Sequence, residues 1–177
     1  MTIKHPPRIY WDACAWISYI NKEMPAPGKT FTESRYEMCR ETLRRAADGQ
    51  IEIVTSAFTL AEVCKRVSND TAPGVNLPAF FDQPYILTVP VDKLVGTRAQ
   101  NLQLAGVGKL KPPDAVHLAS ALVHDVPVFH TFDRPLIDLD KLLSMADGNQ
   151  LKICWPTREV PLPGLLQAMQ DDTAKKG

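Results

Sequence analysis

Short apolar runs that read as strands alternate with longer segments of helical periodicity, and this alternation constrains the fold more than any other feature. The strand-like runs span residues 8–11, 51–54, 85–89, 126–130 and 151–155. Between them, residues 13–20, 31–47, 56–67, 91–104 and 113–123 carry helical patterns or start signals. Strands separated by helices cannot close as tight hairpins; they return through crossovers and lie parallel. The expected fold is therefore α/β: a three-layer α/β/α sandwich around a mainly parallel five-stranded sheet.

The 177 residues suit one domain with a sizeable core. We expect it over residues 1–156, with 157–177 as a Pro-rich, partly disordered extension holding at most a short helix at 165–169. Most of the fifteen prolines fall between periodic segments, where they punctuate the chain. Residues 21–30 and 68–84 read as loops, the second with a short turn at 79–81. In the helix over 56–67, Leu60, Val63, Cys64 and Val67 form the i, i+3, i+4, i+7 stripe expected to face the core.

Twenty basic and twenty acidic side chains sum to zero. This excludes a polycation that binds nucleic acid by bulk phosphate neutralisation, and 45% hydrophobic residues exclude an acidic disordered tail. Cys14, Cys39, Cys64 and Cys154 have no close spacing of a zinc or redox motif, so reduced thiols are expected. No signal-peptide core is evident at the N-terminus. No apolar run approaches the ~20 residues of a membrane span. A cytoplasmic protein without membrane contact is the expectation.

Four acids fall where a parallel sheet binds its ligands, beyond the carboxyl ends of strands. Asp12 follows the first strand. Glu62 lies in the second turn of the helix after the second strand. Asp133 follows the fourth strand by three residues. Asp114 opens the helix over 113–123. That helix is about 15 Å long at 1.5 Å per residue, and the next strand returns over about 17 Å. His124-Asp125 leaves room only for a reversal, so the helix start meets the strand end at one rim. Crowded carboxylates resist ionising together unless a cation sits among them. Oxygen donors favour Mg²⁺ or Mn²⁺, ions that activate water for displacement at phosphorus.

With these residues in view, the chain resembles PIN-domain nucleases. The likeness rests on IYWDACAWI with Asp12, TSAFTLAEV with Glu62, PPDAVHLASAL with Asp114 and FHTFDRPL with Asp133. It implies a parallel α/β sandwich whose acids bind Mg²⁺ or Mn²⁺ and cleave RNA, leaving a 5′-phosphate and a 3′-hydroxyl. Many members are VapC-like toxins of type II toxin–antitoxin pairs, so it also implies an antitoxin protein as partner, and often a homodimer. By resemblance, Asp12 and Asp114 are direct metal ligands, Glu62 and Asp133 complete the cluster, and Thr131 orients it through its hydroxyl. The chain is longer than the compact toxins, so an RNA-processing nuclease or a non-catalytic scaffold stands beside the toxin reading.

Each residue also has an ordinary explanation. Asp12 and Asp133 suit a helix cap and a turn, and Asp114 complements a helix dipole. Glu62 can pair with Lys65 and Arg66 on its own helix; alternatively those bases face RNA phosphate. Lys109 and Lys111, just before Asp114, are further candidates for phosphate contact. His117 suits packing or hydrogen bonding. Asp92, Asp138 and Asp140 suit a solvated surface. Trp11 and Trp16 suit the core, with base stacking as the alternative. The Arg35, Arg40, Arg44 and Arg45 series alternates with Glu33, Glu37 and Glu41, as on a solvated, ion-paired face. A haloacid-dehalogenase-type phosphatase also has an Asp after its first strand, but needs a second Asp where this chain has Cys14.

Overall fold

A computed structural model describes residues 6–28, 33–66 and 74–156. Its strands are β1 (Arg8–Trp11), β2 (Glu52–Ser56), β3 (Ile86–Val89), β4 (Val128–His130) and β5 (Lys152–Cys154). Its helices are α1 (Ala13–Ile20), α2 (Arg35–Ala47), α3 (Ala57–Arg66), α4 (Leu77–Phe81), α5 (Lys93–Leu104), α6 (Pro112–Val123) and α7 (Arg134–Ile137), with one 3₁₀ turn at Val107–Lys109. The five strands form one sheet in the order β3-β2-β1-β4-β5, every pair parallel.

Successive side chains of a strand point to opposite faces, and both faces here are covered. Tyr10, Val54 and Phe129 join Val95 of α5 and Leu118 and Leu122 of α6 in one core. Ile9, Trp11, Ile53 and Val128 join Trp16 of α1, Leu43 of α2 and Val63 of α3 in the other. The result is the α/β/α sandwich, with the sheet buried on both sides as parallel sheets require.

Several elements differ from the sequence expectation. Helix α2 starts at Arg35, not at 31, because the Ser34 side chain accepts from the Glu37 N–H at 3.1 Å and caps it there; residues 31 and 32 lie outside the described residues. Strand β2 runs on to Ser56, which pairs with Val89, so α3 begins at Ala57. The expected α3 stripe is corrected. Thr59 and Val63 are buried, whereas Leu60 and Cys64 are exposed. A 2.8 Å bond between the Thr55 and Thr59 hydroxyls turns that i, i+4 row inward. Val67 lies outside the described residues, as do 157–177 with the expected short helix. Asn76 and Asp92 cap α4 and α5 through their side chains. Helix α7, which periodicity does not foreshadow, has Pro in its first turn.

The chain builds β1, then β2 and β3 on one side, and then crosses back to lay β4 on the other side of β1. At such a reversal the strand ends part and leave a crevice. The link from α6 to β4 is the tight reversal expected, with Asp125 at φ +52°. No helix among the described residues is long and apolar enough to cross a membrane.

Candidate active site

A cavity of about 320 Å³ opens at the carboxyl ends of β1 and β4, lined by Asp12, Glu62, Asp114 and Asp133 together with Cys14, Arg35, His117 and Phe132. Each acid arrives by a local rule. Asp12 caps α1, its Oδ1 accepting from the Ala15 N–H at 3.1 Å. Asp114 sits in the first turn of α6. Asp133 occupies the cap position of α7 without a side-chain capping bond, so its carboxylate is not engaged there. Glu62 comes from α3, and its Oε2 lies 2.6 Å from Nε2 of His117.

The capping and site roles of Asp12 are compatible. Its carboxylate is buried, which pushes its pKa above the ordinary carboxylate value, against the opposing pull of His117 and bonds from Cys14, Thr131 and Ala15. Asp114 is also raised, first by desolvation and then by the negative charges of Asp133 and Asp12, with His117 and Lys111 opposing. The acids therefore feel one another across the cavity. This is the electrostatic conflict expected of crowded carboxylates.

Cys14 ties the wall together, a role its sequence position does not signal. Its thiol donates toward both Asp12 oxygens, at 2.9 and 3.2 Å, and lies 3.2 Å from the Thr131 hydroxyl. Its sulfur also accepts from the Phe132 N–H at 3.1 Å. Burial pushes the thiol pKa well above its usual range, so the neutral donor is the form present. Thr131 is fully buried and accepts from the Asp133 N–H at 2.9 Å, fixing the turn that presents Asp133.

His117 connects the site to the core. Nδ1 shares a 2.9 Å hydrogen bond with the Tyr10 hydroxyl, and Nε2 meets Glu62. Burial raises the Tyr10 pKa, so its phenol stays protonated. A proton on Nε2 donates to the Glu62 carboxylate, while the Tyr10 hydroxyl holds the other side of the ring at Nδ1.

The candidate cations divide. Lys111 is exposed at the cap position of α6 and acts electrostatically on Asp114; Lys109 is exposed in the 3₁₀ turn. Neither is among the residues lining the cavity. Lys65 and Arg66 lie on α3, with side chains outside those described. Arg35, which the sequence groups with a solvated face, instead lines the cavity. Its guanidinium is 3.5 Å from Glu23 and sits over the Phe132 ring at 4.9 Å. Arg40 and Arg44 do pair along α2, with Glu37, Glu41 and Asp48. Trp11 and Trp16 are fully buried core residues, so neither can stack on a base. Asp138 pairs with Arg134, and Asp140 accepts from the Ile153 N–H.

Among the described residues, no three His, Cys, Asp or Glu side chains are grouped so as to grip a metal ion directly. The carboxylates ring the cavity instead of meeting at one point. Their chemistry nonetheless fits a hard divalent cation: they are oxygen donors whose mutual repulsion and burial a positive charge would relieve. Mg²⁺ keeps several waters and needs only one or two direct carboxylates, which suits a ring of this kind.

A family model described as the PIN domain matches residues 9–142. No curated protein gives a significant match. Among solved structures, the chain is similar to VapC20 of Mycobacterium tuberculosis, a sarcin-ricin-loop-cleaving toxin. The TM-score is 0.53 at 16% sequence identity, over 71% of this chain and 90% of that one. At that identity the likeness bears on the fold, and it agrees with the parallel sandwich.

Proposed function

This chain belongs to the PIN-domain family, and from that premise we propose that it is a metal-dependent endoribonuclease hydrolysing RNA phosphodiester bonds. The observation that carries this reading is the convergence of Asp12, Glu62, Asp114 and Asp133 from separate parts of the chain on one cavity. Asp12 and Asp114 would hold Mg²⁺ or Mn²⁺, with Glu62 and Asp133 completing the ring. Such an ion, when bound, supplies an activated water and charge stabilisation at phosphorus.

The protein's own part is positioning. Cys14 and the Ala15 N–H orient the Asp12 carboxylate, and Thr131 holds the turn carrying Asp133. His117 fixes one oxygen of Glu62 and leaves the other to turn toward the cavity. Lys111 and Arg35 bring positive charge beside the acids, with Lys65, Arg66 and Lys109 as outer candidates for RNA phosphate. The test is direct. Purified protein should cut single-stranded RNA with Mn²⁺ or Mg²⁺ and stop on addition of EDTA; chelator-resistant cleavage would overturn the proposal.

Within this reading, the fold shared with the VapC20 toxin supports a toxin held by an antitoxin in the cytoplasm. The antitoxin would lay an amphipathic segment against the surface built from residues 13–47, and a homodimer is the expected assembly. Expression of the chain should then arrest growth, and expression of Asp12→Asn should not. Harmless expression of an active enzyme would point to RNA processing instead.

A further inference from the structure

Trp155 differs from the other two tryptophans. Trp11 and Trp16 are at 0% exposure, whereas Trp155 is 40% exposed just beyond the carboxyl end of β5. The register fixes its height. Cys154 pairs with His130, and its carbonyl accepts from the Thr131 N–H at 3.1 Å, so Trp155 stands level with Thr131, one residue before Phe132, at the rim. The two rings touch, with centroids 6.1 Å apart and planes inclined at 57°. Phe132 is itself part of the cavity wall, 7% exposed, with the Arg35 guanidinium over its ring. Phe132 thus links the acid-lined cavity to an open indole.

We propose that Trp155, backed by Phe132, is a stacking seat for an unpaired base of the RNA substrate, next to the phosphate that a metal ion would hold at the acids. This inference rests on the ribonuclease reading above. Proteins that bind single strands combine cationic groups that follow the backbone with aromatic rings on which bases stack. Both parts are present here: Arg35 at the cavity wall and Trp155 at its edge. The Arg35 side chain is only 25% exposed and is tied to Glu23, so its charge is held in place before RNA arrives. Every base has a π face, so the seat selects for an unpaired nucleotide and not for a particular base. A base in a duplex is already stacked and cannot occupy it.

The test uses the full chain, a short single-stranded oligouridylate and the same strand without bases. With EDTA present to stop cleavage, the oligouridylate should quench the emission of the exposed tryptophan, and the abasic strand should not. Trp155→Ala should raise KM about tenfold while leaving kcat and Mn²⁺ affinity unchanged, and Trp155→Phe should restore most of the loss. Equal quenching by the abasic strand, or an unchanged KM in Trp155→Ala, would overturn the seat while leaving the nuclease intact. If Trp155→Ala weakens binding of a protein partner but not of RNA, the indole is a protein contact and the seat is again overturned. Absence of cleavage with Mn²⁺, alongside base-dependent quenching, would remove the nuclease reading but keep the seat.

Discussion

Nε2 of His117 lies 2.6 Å from Oε2 of Glu62, joining α6 to α3 across 55 residues of sequence. The same imidazole is anchored from behind by the Tyr10 hydroxyl. The carboxylate is thus held by a ring that cannot swing away. Partners of this outer kind typically contribute 10- to 100-fold (an order-of-magnitude range) to metal affinity. His117→Ala should weaken Mn²⁺ binding by roughly that range, measured calorimetrically, and Tyr10→Phe should do so to a lesser degree. Unchanged affinity in a folded His117→Ala would leave His117 with packing alone.

Asp12→Asn separates function from stability. Asn keeps the helix cap but removes a buried charge. Because burial raises the Asp12 pKa in the folded state, the group favours folding below the unfolded value of 3.8 and loses that contribution as pH rises through the folded pKa. In EDTA at pH 7 the variant should therefore melt higher than the parent, and the difference should vanish below about pH 4. Cleavage should fall by on the order of 100-fold or more. The parent should gain melting temperature from Mn²⁺ and the variant should not.

His130 sets an acid limit. Burial first, and then Lys152 and Arg45, lower its pKa from 6.5 to about 3. Its Nδ1 accepts from the Trp11 indole N–H at 3.2 Å, which requires the neutral ring. A base depressed in this way stabilises the fold above pH 6.5, and that contribution is progressively lost as pH falls toward 3. The slope approaches ~1.4 kcal/mol per pH unit when one proton is taken up on unfolding. Denaturant unfolding from pH 6 to pH 5 should show a shallower pH slope in His130→Asn than in the parent. Parallel slopes would exclude the effect.

Arg44 offers a contrasting expectation. It pairs with Glu41 and Asp48, yet all three side chains are substantially exposed. Exposed pairs of this kind contribute little. Arg44→Ala should leave melting temperature and RNA cleavage unchanged within error; a clear loss of either would give the outer face of α2 a role beyond solubility.

The sandwich and the acid rim were legible in the sequence because both follow from order along the chain. Alternating strands and helices dictate parallel pairing, and the short link after α6 fixes where Asp114 must stand. The rest depends on side-chain direction, which order does not encode. Arg35 belongs by spacing to a solvated helix face, but its place in the first turn of α2 lets it reach Phe132. Cys14 looks like a helix residue of no consequence until β4 brings Thr131 and Phe132 against it. The inward face of α3 departs from the apolar stripe because Thr59, a polar residue outside that stripe, is drawn in by Thr55. Setting aside the four acids leaves twenty basic against sixteen acidic side chains, so the neutral total conceals an acidic cavity in a mildly basic body.

The central position of β1 has a consequence during synthesis. Its neighbour β4 pairs Ile9 with Val128, and Trp11 reaches His130 across 119 residues. Closing so long a loop comes late in folding. A nascent chain that has already emerged with Asp12 and Glu62 still lacks the strand that walls their cavity, and with it Asp114 and Asp133. The chain must therefore extend to residue 133 before all four acids can meet. Products that stop short of Asp133 lack part of the acid ring, so strand order ties the proposed activity to chains that extend past β4.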